Sequence, residues 1–336
     1  MPAPMEISPA VRDALASGRP VVALETAVLT HGLPRAPLAA APACTGPAGA
    51  FAGLWEAALP ANIALSALLE AVVRRGGAEP ATVGMIDGVL HVGLTPAQRD
   101  RLGADTQARK LSTRDLGPAA AQGASGGTTV AATLAACALA GIRVFATGGI
   151  GGVHRGWTQR PDVSADLAAL ARTPTAVISA GAKSILDLPA TVEALDALGV
   201  PVVGVGTPWF PRFLSEGAAP LRVSATVRDA AEAAAVCRAH WSFAPACGVL
   251  VANPPPAAHA IPTAEIEGVI EAALAEAHRA GIAGPETTPF LLDRVQRATA
   301  GRSVDANIAV LADNARLGAA LAAHLRGTTD AAAPKA

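Results

Sequence analysis

TTVAATLAACALAGIRVFATGGIGG, residues 128–152, is the stretch whose reading decides the fold. From 128 to 140 it is Ala-rich and free of Gly and Pro, which predicts a helix, and Gly141 supplies the residue type that commonly ends one. The run 142–147 is short, apolar and rich in β-branched and aromatic residues, which predicts a strand. Gly148-Gly149-Ile150-Gly151-Gly152 then predicts a flexible loop. The same alternation extends outward in both directions. Strands are expected at 20–25, 81–86, 90–92, 176–179, 201–205 and 248–252, with Asp87-Gly88 as a hairpin turn between the second and third. Helices are expected at 65–75, 164–172, 192–198 and 228–240, and three more from Thr263 onward, broken at Gly281 and Gly301. Short strands alternating with helices read as an α/β fold, a mostly parallel sheet covered by helices with a helical C-terminal part. The organisation expected is one catalytic domain over 1–327 and a disordered tail over 328–336. Residues 35–59, rich in Ala, Pro and Gly, read as an inserted surface loop in which 53–59 docks as a short helix.

Composition narrows the function. The 336 residues are 51% hydrophobic, yet Ala carries the excess and no apolar run reaches the ~20 residues of a membrane span. Residues 1–9 hold Glu6 and no basic-then-apolar pattern, so a cytoplasmic location is expected. A formal net charge of −1 gives no electrostatic case for nucleic acid or an anionic membrane. Tyr is absent and aromatics are 3%, so a nucleotide-like ligand must be held by hydrogen bonds and charge rather than by stacking platforms. Cys44, Cys137, Cys237 and Cys247 are scattered without a CxxC pair and read as buried thiols.

Only Lys110, Lys183 and Lys335 are lysine among 26 basic residues. Arg cannot form a Schiff base, so a lysine in an Arg-using chain is a candidate for chemistry. Lys183 follows the strand at 176–179, where ligands of open α/β sheets bind, although a lysine snorkelling to solvent is equally open on the residues alone. Glu25 ends an apolar strand and could be a general acid/base with a raised pKa or a structural acceptor. The glycines at 148–152, with His154 and Arg155, and Gly126-Gly127-Thr128-Thr129 at a helix start are two candidate anion cradles. Asp162, Ser164 and Asp166 could hold a hard divalent ion, but a helix cap is the simpler reading of the residues alone.

The segments together carry a resemblance. VVALETAVLTHGLP from Val21, RKLSTRDL from Arg109, GGTTVAAT from Gly126 and GIRVFATGGIGGVHRG from Gly141 occur in order. DVSADL from Asp162, SAGAKSILDLP from Ser179, TPFLLDRV from Thr288 and SVDANIAVLADNARLGA from Ser303 follow. The chain thus resembles the pseudouridine-5′-phosphate glycosidases, also called indigoidine-synthase-A-like. The resemblance implies a three-layer α/β/α sandwich, a homotrimer, and one divalent cation per subunit, typically Mn²⁺. It implies reversible cleavage of the C1′–C5 bond of pseudouridine 5′-phosphate to uracil and ribose 5-phosphate. By motif, Lys183 matches the Schiff-base lysine, Glu25 the proton-transferring carboxylate and Asp162 the metal ligand. Lys110, Thr129, Val130, Ser164, Ala165 and Asp166 match substrate-binding positions, and Asn307 matches an asparagine that reads the uracil edge.

Two departures stand out. Residues 35–59 are extra where the family passes directly from HGLP into a helix, and 207–223 lacks an acidic or polar pair before Phe-Pro. Two rival readings follow: a Schiff-base lyase or aldolase acting on another sugar phosphate, and a catalytically silent homologue whose pocket the insertion has altered.

Overall fold

The computed structural model describes residues 3–38, 42, 49, 53–56, 59–159, 161–282 and 287–326. Eleven strands form one sheet: β1 (Met5–Ile7), β2 (Val21–Leu24), β3 (Glu79–Ile86), β4 (Val89–Val92), β5 (Arg109–Leu111), β6 (Gly126–Thr128), β7 (Val144–Ala146), β8 (Ala176–Ser179), β9 (Val202–Val205), β10 (Ala225–Val227) and β11 (Val249–Ala252). The order is β1-β4-β3-β2-β7-β8-β11-β9-β10, with β6 and then β5 branching from β3. From β3 through β2 to β10 every pair on the path is parallel; β4 and β6 run antiparallel to β3.

The central strands β2, β7 and β11 are apolar at every position because both faces are covered. Val22 and Leu24 point to one face, against Leu65, Leu68 and Val72 of the helix Ala61–Arg75 and Leu311, Ala315 and Ala319 of the helix Arg302–His324. Val21 and Ala23 point to the other, where the cluster includes Val11, Leu134, Leu167 and Leu195 from four further helices. Fully burying each such Val or Leu stabilises the fold by roughly 1.5–3 kcal/mol. The result is the three-layer sandwich expected. No helix among the described residues is long and apolar enough to cross a membrane.

Several sequence expectations hold closely. Asp87 (φ 50°) and Gly88 (φ 81°) both take positive φ in the β3–β4 hairpin, as a tight two-residue turn requires. Gly141 ends the helix Val130–Ala140 at φ 75°. The C-terminal helices are Thr263–Arg279, Thr287–Ala298 and Arg302–His324. Cys137, Cys237 and Cys247 are buried free thiols, while Cys44 lies outside the described residues.

Other expectations need correction. Residues 126–128 are not a helix start but the strand β6; the helix begins at Val130 with Thr129 as its cap, bonded to the Ala132 N–H. The glycine-rich loop 148–152 is not free: Ile150 bridges Ala182, the Gly151 N–H donates to Asp166, and the Gly152 carbonyl accepts from the Ser164 N–H. Of the insertion 35–59, the short helix is Gly53–Glu56. Its described parts dock on the core, as expected of the apolar residues Leu54 and Trp55. Arg35 donates to the Thr30 and Asp105 carbonyls, and Leu38, Leu54 and Trp55 pack against the core. Much of that segment, and the tail 328–336, lies outside the described residues.

β6 passes so close to the turn after β2 that only glycine fits. A Cβ at Gly127 would sit 2.5 Å from the Thr26 carbonyl oxygen and closer still to Thr30 Oγ1. Gly127→Ala should therefore cost roughly 1–3 kcal/mol through overpacking, read as a lower urea midpoint at unchanged slope.

Candidate active site

In an open parallel sheet, ligands bind beyond the carboxyl ends of the strands where the winding reverses. Here the chain winds outward from β2 through β3 and β4 and returns at β7, so the reversal falls between β2 and β7. Glu25 leaves the end of β2. Thr147 and the glycine loop leave β7, and Lys183 sits in the turn after β8. The Lys183 N–H donates to the Ile150 carbonyl at 3.1 Å, which ties that turn to the glycine loop. A π-helical turn, Val28–Gly32, follows Glu25 and carries His31. Single π turns of this kind often mark functional sites.

The cleft has two lobes that share Glu25, Ala27, Lys110 and Lys183. One lobe is the more polar and adds Ser112, Thr129, Val130, Gly151, His154, Ser164 and Asp166, with Ile185 and Leu186 beside them. It faces the N-terminus of the helix Val130–Ala140. The other is mainly apolar: Val28, Leu33, Phe213, Leu214, Val295, Val304 and Leu311 wall it, and His31, Gln296, Ser303 and Asn307 give it polar edges. Phe213 lies against Gly148 and Gly149, where any side chain would strike its ring. Its own φ of 63° is an uncommon value for a non-glycine residue.

Electrostatics bind the two lobes together. Burial raises the Glu25 carboxyl above its ordinary value; Lys183 and a hydrogen bond from Thr147 Oγ1 oppose that rise. Lys110 is open to solvent on one flank, yet desolvation in the cleft, with the Lys183 charge beside it, lowers its ammonium. Burial lowers His31, helped by Lys110 and Arg35, while Thr30 Oγ1 holds its Nδ1 at 2.7 Å. The Asp166 carboxylate accepts from the Ala131 N–H at 2.9 Å and the Gly151 N–H at 2.8 Å, so it welds the helix start to the glycine loop.

Residues 56–324 match the family described as Indigoidine synthase A like protein. The chain belongs to this family. It is 46% identical over 320 residues to the pseudouridine-5′-phosphate glycosidase of Nocardioides sp., covering 94% of this chain and 95% of that one. With the pseudouridine-5′-phosphate glycosidase of Methylobacterium nodulans it shares 47% over 332 residues, 97% and 90% of the two chains. Among solved structures, the prealnumycin C-glycosynthase AlnA in complex with ribulose 5-phosphate superimposes with a TM-score of 0.81 at 36% identity, covering 96% of each chain. An indigoidine synthase A-like protein from Thermotoga maritima superimposes with a TM-score of 0.79 at 31% identity, covering 95% of this chain and 96% of that one.

Within this member of the family, the structure brings Lys183, Glu25, Lys110, Thr129, Val130, Ser164, Asp166 and Asn307 to one cleft. Ala165 is exposed one residue beyond Ser164 and does not line it. Asp162 lies at the rim, half-exposed, with Oδ2 3.9 Å from His154 Nδ1. Among the described residues no three His, Cys, Asp or Glu side chains converge as a metal cage. Sequence reasoning missed Thr147, Phe213 and Gln296 and gave His31 no role. The strand-end rule that singles out Glu25 could have found Thr147; nothing in the pattern around Phe213 or Gln296 points to the cleft.

Because the folded protein holds the Glu25 proton more tightly than the unfolded chain, it binds more protons from about pH 4.5 up to the raised value. Stability then falls as pH rises through that window. Glu25→Gln should remove this slope, and its advantage over the parent in urea midpoint should grow from pH 4.5 to pH 8.

Proposed function

We propose that this protein is a pseudouridine-5′-phosphate glycosidase, cleaving the C1′–C5 bond to give uracil and ribose 5-phosphate. One observation carries the reading: Lys183 and Glu25 sit at the junction of a polar, anion-suited lobe and an apolar lobe edged by carboxamides. A ribose 5-phosphate fits the first lobe, with the phosphate at the N-terminus of the helix Val130–Ala140 and beside Lys110. A uracil ring fits the second, its edge read by Asn307. The named relatives and the ribulose 5-phosphate complex of a C-glycosynthase support both halves.

A carbon–carbon glycoside does not yield to simple protonation and water, which is why an amine and a mobile proton are needed together. Lys183 first hands a proton to Glu25; its amine then bonds to C1′ as the C1′–O4′ bond breaks, and Glu25 delivers that proton to O4′. The ionised Glu25 then takes a proton from the new C1′ amine and passes it to uracil C5. The C1′–C5 electron pair returns to the uracil ring while the nitrogen lone pair closes a C1′=N iminium. Water adds to that iminium, the lysine is released, and ribose 5-phosphate leaves. The reverse direction uses the same groups. A carboxyl with raised proton affinity beside an amine suits this shuttle.

Asp162 with waters would hold the divalent cation, Mn²⁺ by resemblance; a single accessible carboxylate suits a hard ion that keeps most of its hydration. The charge it supplies would organise the phosphate end of the substrate. A cytoplasmic homotrimer, at three times the 33.3 kDa chain mass by light scattering, belongs to the same proposal.

Pseudouridine 5′-phosphate with Mn²⁺ should yield uracil and ribose 5-phosphate in equal amounts; no uracil release would sink the reading. Lys183→Arg should abolish release while the melting profile stays that of the parent, since charge persists but no imine forms. Glu25→Ala should lower kcat by roughly 10²–10⁴-fold with a smaller change in KM.

A further inference from the structure

Thr147 is 1% exposed and does not itself line the cleft, yet its hydroxyl donates to Glu25 Oε1. Every other polar atom of the residue is committed. Its N–H donates to the Ile178 carbonyl at 3.0 Å across the β7–β8 ladder, and its carbonyl accepts from Asn314 Nδ2 at 2.7 Å. Asn314 is 1% exposed, and its Oδ1 accepts from Asn253 Nδ2 at 3.0 Å. Asn253 leaves the end of β11, donates its N–H to the Ser179 carbonyl, and gives its carboxamide also to Asp313 Oδ2 at 2.8 Å. The chain of bonds thus crosses from the helix Arg302–His324 through the ends of β11 and β7 to the carboxyl that ends β2. Buried polar groups left half-paired are costly, so this route is held as one unit.

We propose that Thr147 is the positioning residue for Glu25, its backbone held by the buried carboxamides Asn314 and Asn253, the latter anchored in turn on Asp313. The inference rests on the assignment of Glu25 as the proton carrier. A threonine hydroxyl has one proton, and donating it to the carboxylate favours the ionised form. That opposes the rise caused by burial and helps Glu25 both to give and to take a proton. The other charged or titratable groups facing Glu25 are Lys183 after β8, Lys110 on β5, Asp166 on the helix Ala165–Leu170, His31 on the π turn and His154 beyond the glycine loop. All stay in place when only the hydroxyl is removed.

Thr147→Val keeps shape and deletes the donor; Thr147→Ala deletes it with no added bulk, in case the valine packs poorly; Thr147→Ser restores it. Glu25 is followed by its carboxyl infrared band during pH titration, identified by its absence in Glu25→Gln. The midpoint should rise by about one pH unit or more in the valine and alanine variants and return in the serine variant. The corresponding limb of the kcat profile with pseudouridine 5′-phosphate should move with it. An unmoved midpoint in both donor-free variants, or a serine variant that titrates like them, overturns the role given to Thr147. A parent that releases no uracil would instead sink the glycosidase reading, and the infrared titration would still decide the role of Thr147.

Discussion

A carboxyl and an amine share one cleft that protein atoms largely shield from water, and the rest of the molecule is arranged around holding them there. Charged groups removed from water are destabilising unless each finds a partner or gives up its charge. Glu25 meets this condition through raised proton affinity, the Lys183 charge and the Thr147 hydroxyl. Parallel pairing makes the arrangement rigid: β2, β7 and β8 lie side by side, so the residues just past their ends stand in a row. The helix Arg302–His324 covers those strands and contributes both Asn307 to the cleft wall and Asn314 to the bonds beneath it.

Close approach of backbone is the second requirement. Gly127 lets β6 pass beside the turn that follows Glu25, and Gly151 brings an N–H to Asp166 where a side chain would strike Ser164. Gly148 and Gly149 let the Phe213 ring lie against the loop. The glycines therefore serve proximity more than flexibility. The loop they form is pinned by Ala182, Asp166 and Ser164.

How much of this was legible in the sequence follows from the same physics. β2, β8, β9 and β11 read clearly because a strand covered on both faces is apolar almost throughout. β6 did not: Gly126, Gly127 and Thr128 look like the start of a helix, and only the approach of Thr26 and Arg109 explains why glycine forms a strand there. β5 and β10 are too short to show a period. Lys183 stood out because the chain has three lysines. Asn307 was legible only through resemblance, since a polar residue at the start of a long helix is ordinary. Phe213 and Gln296 reach the cleft from distant segments, and tertiary proximity of that kind leaves no local pattern.

The claim most exposed to test is that Lys183, rather than the other cleft lysine, forms the covalent bond to the sugar. Borohydride quenching during turnover of pseudouridine 5′-phosphate, followed by peptide mass spectrometry, measures this directly. The account predicts a reduced ribose 5-phosphate adduct on the peptide carrying Lys183 and none on Lys110. An adduct on Lys110, or turnover with no trapped sugar on any lysine, would contradict it.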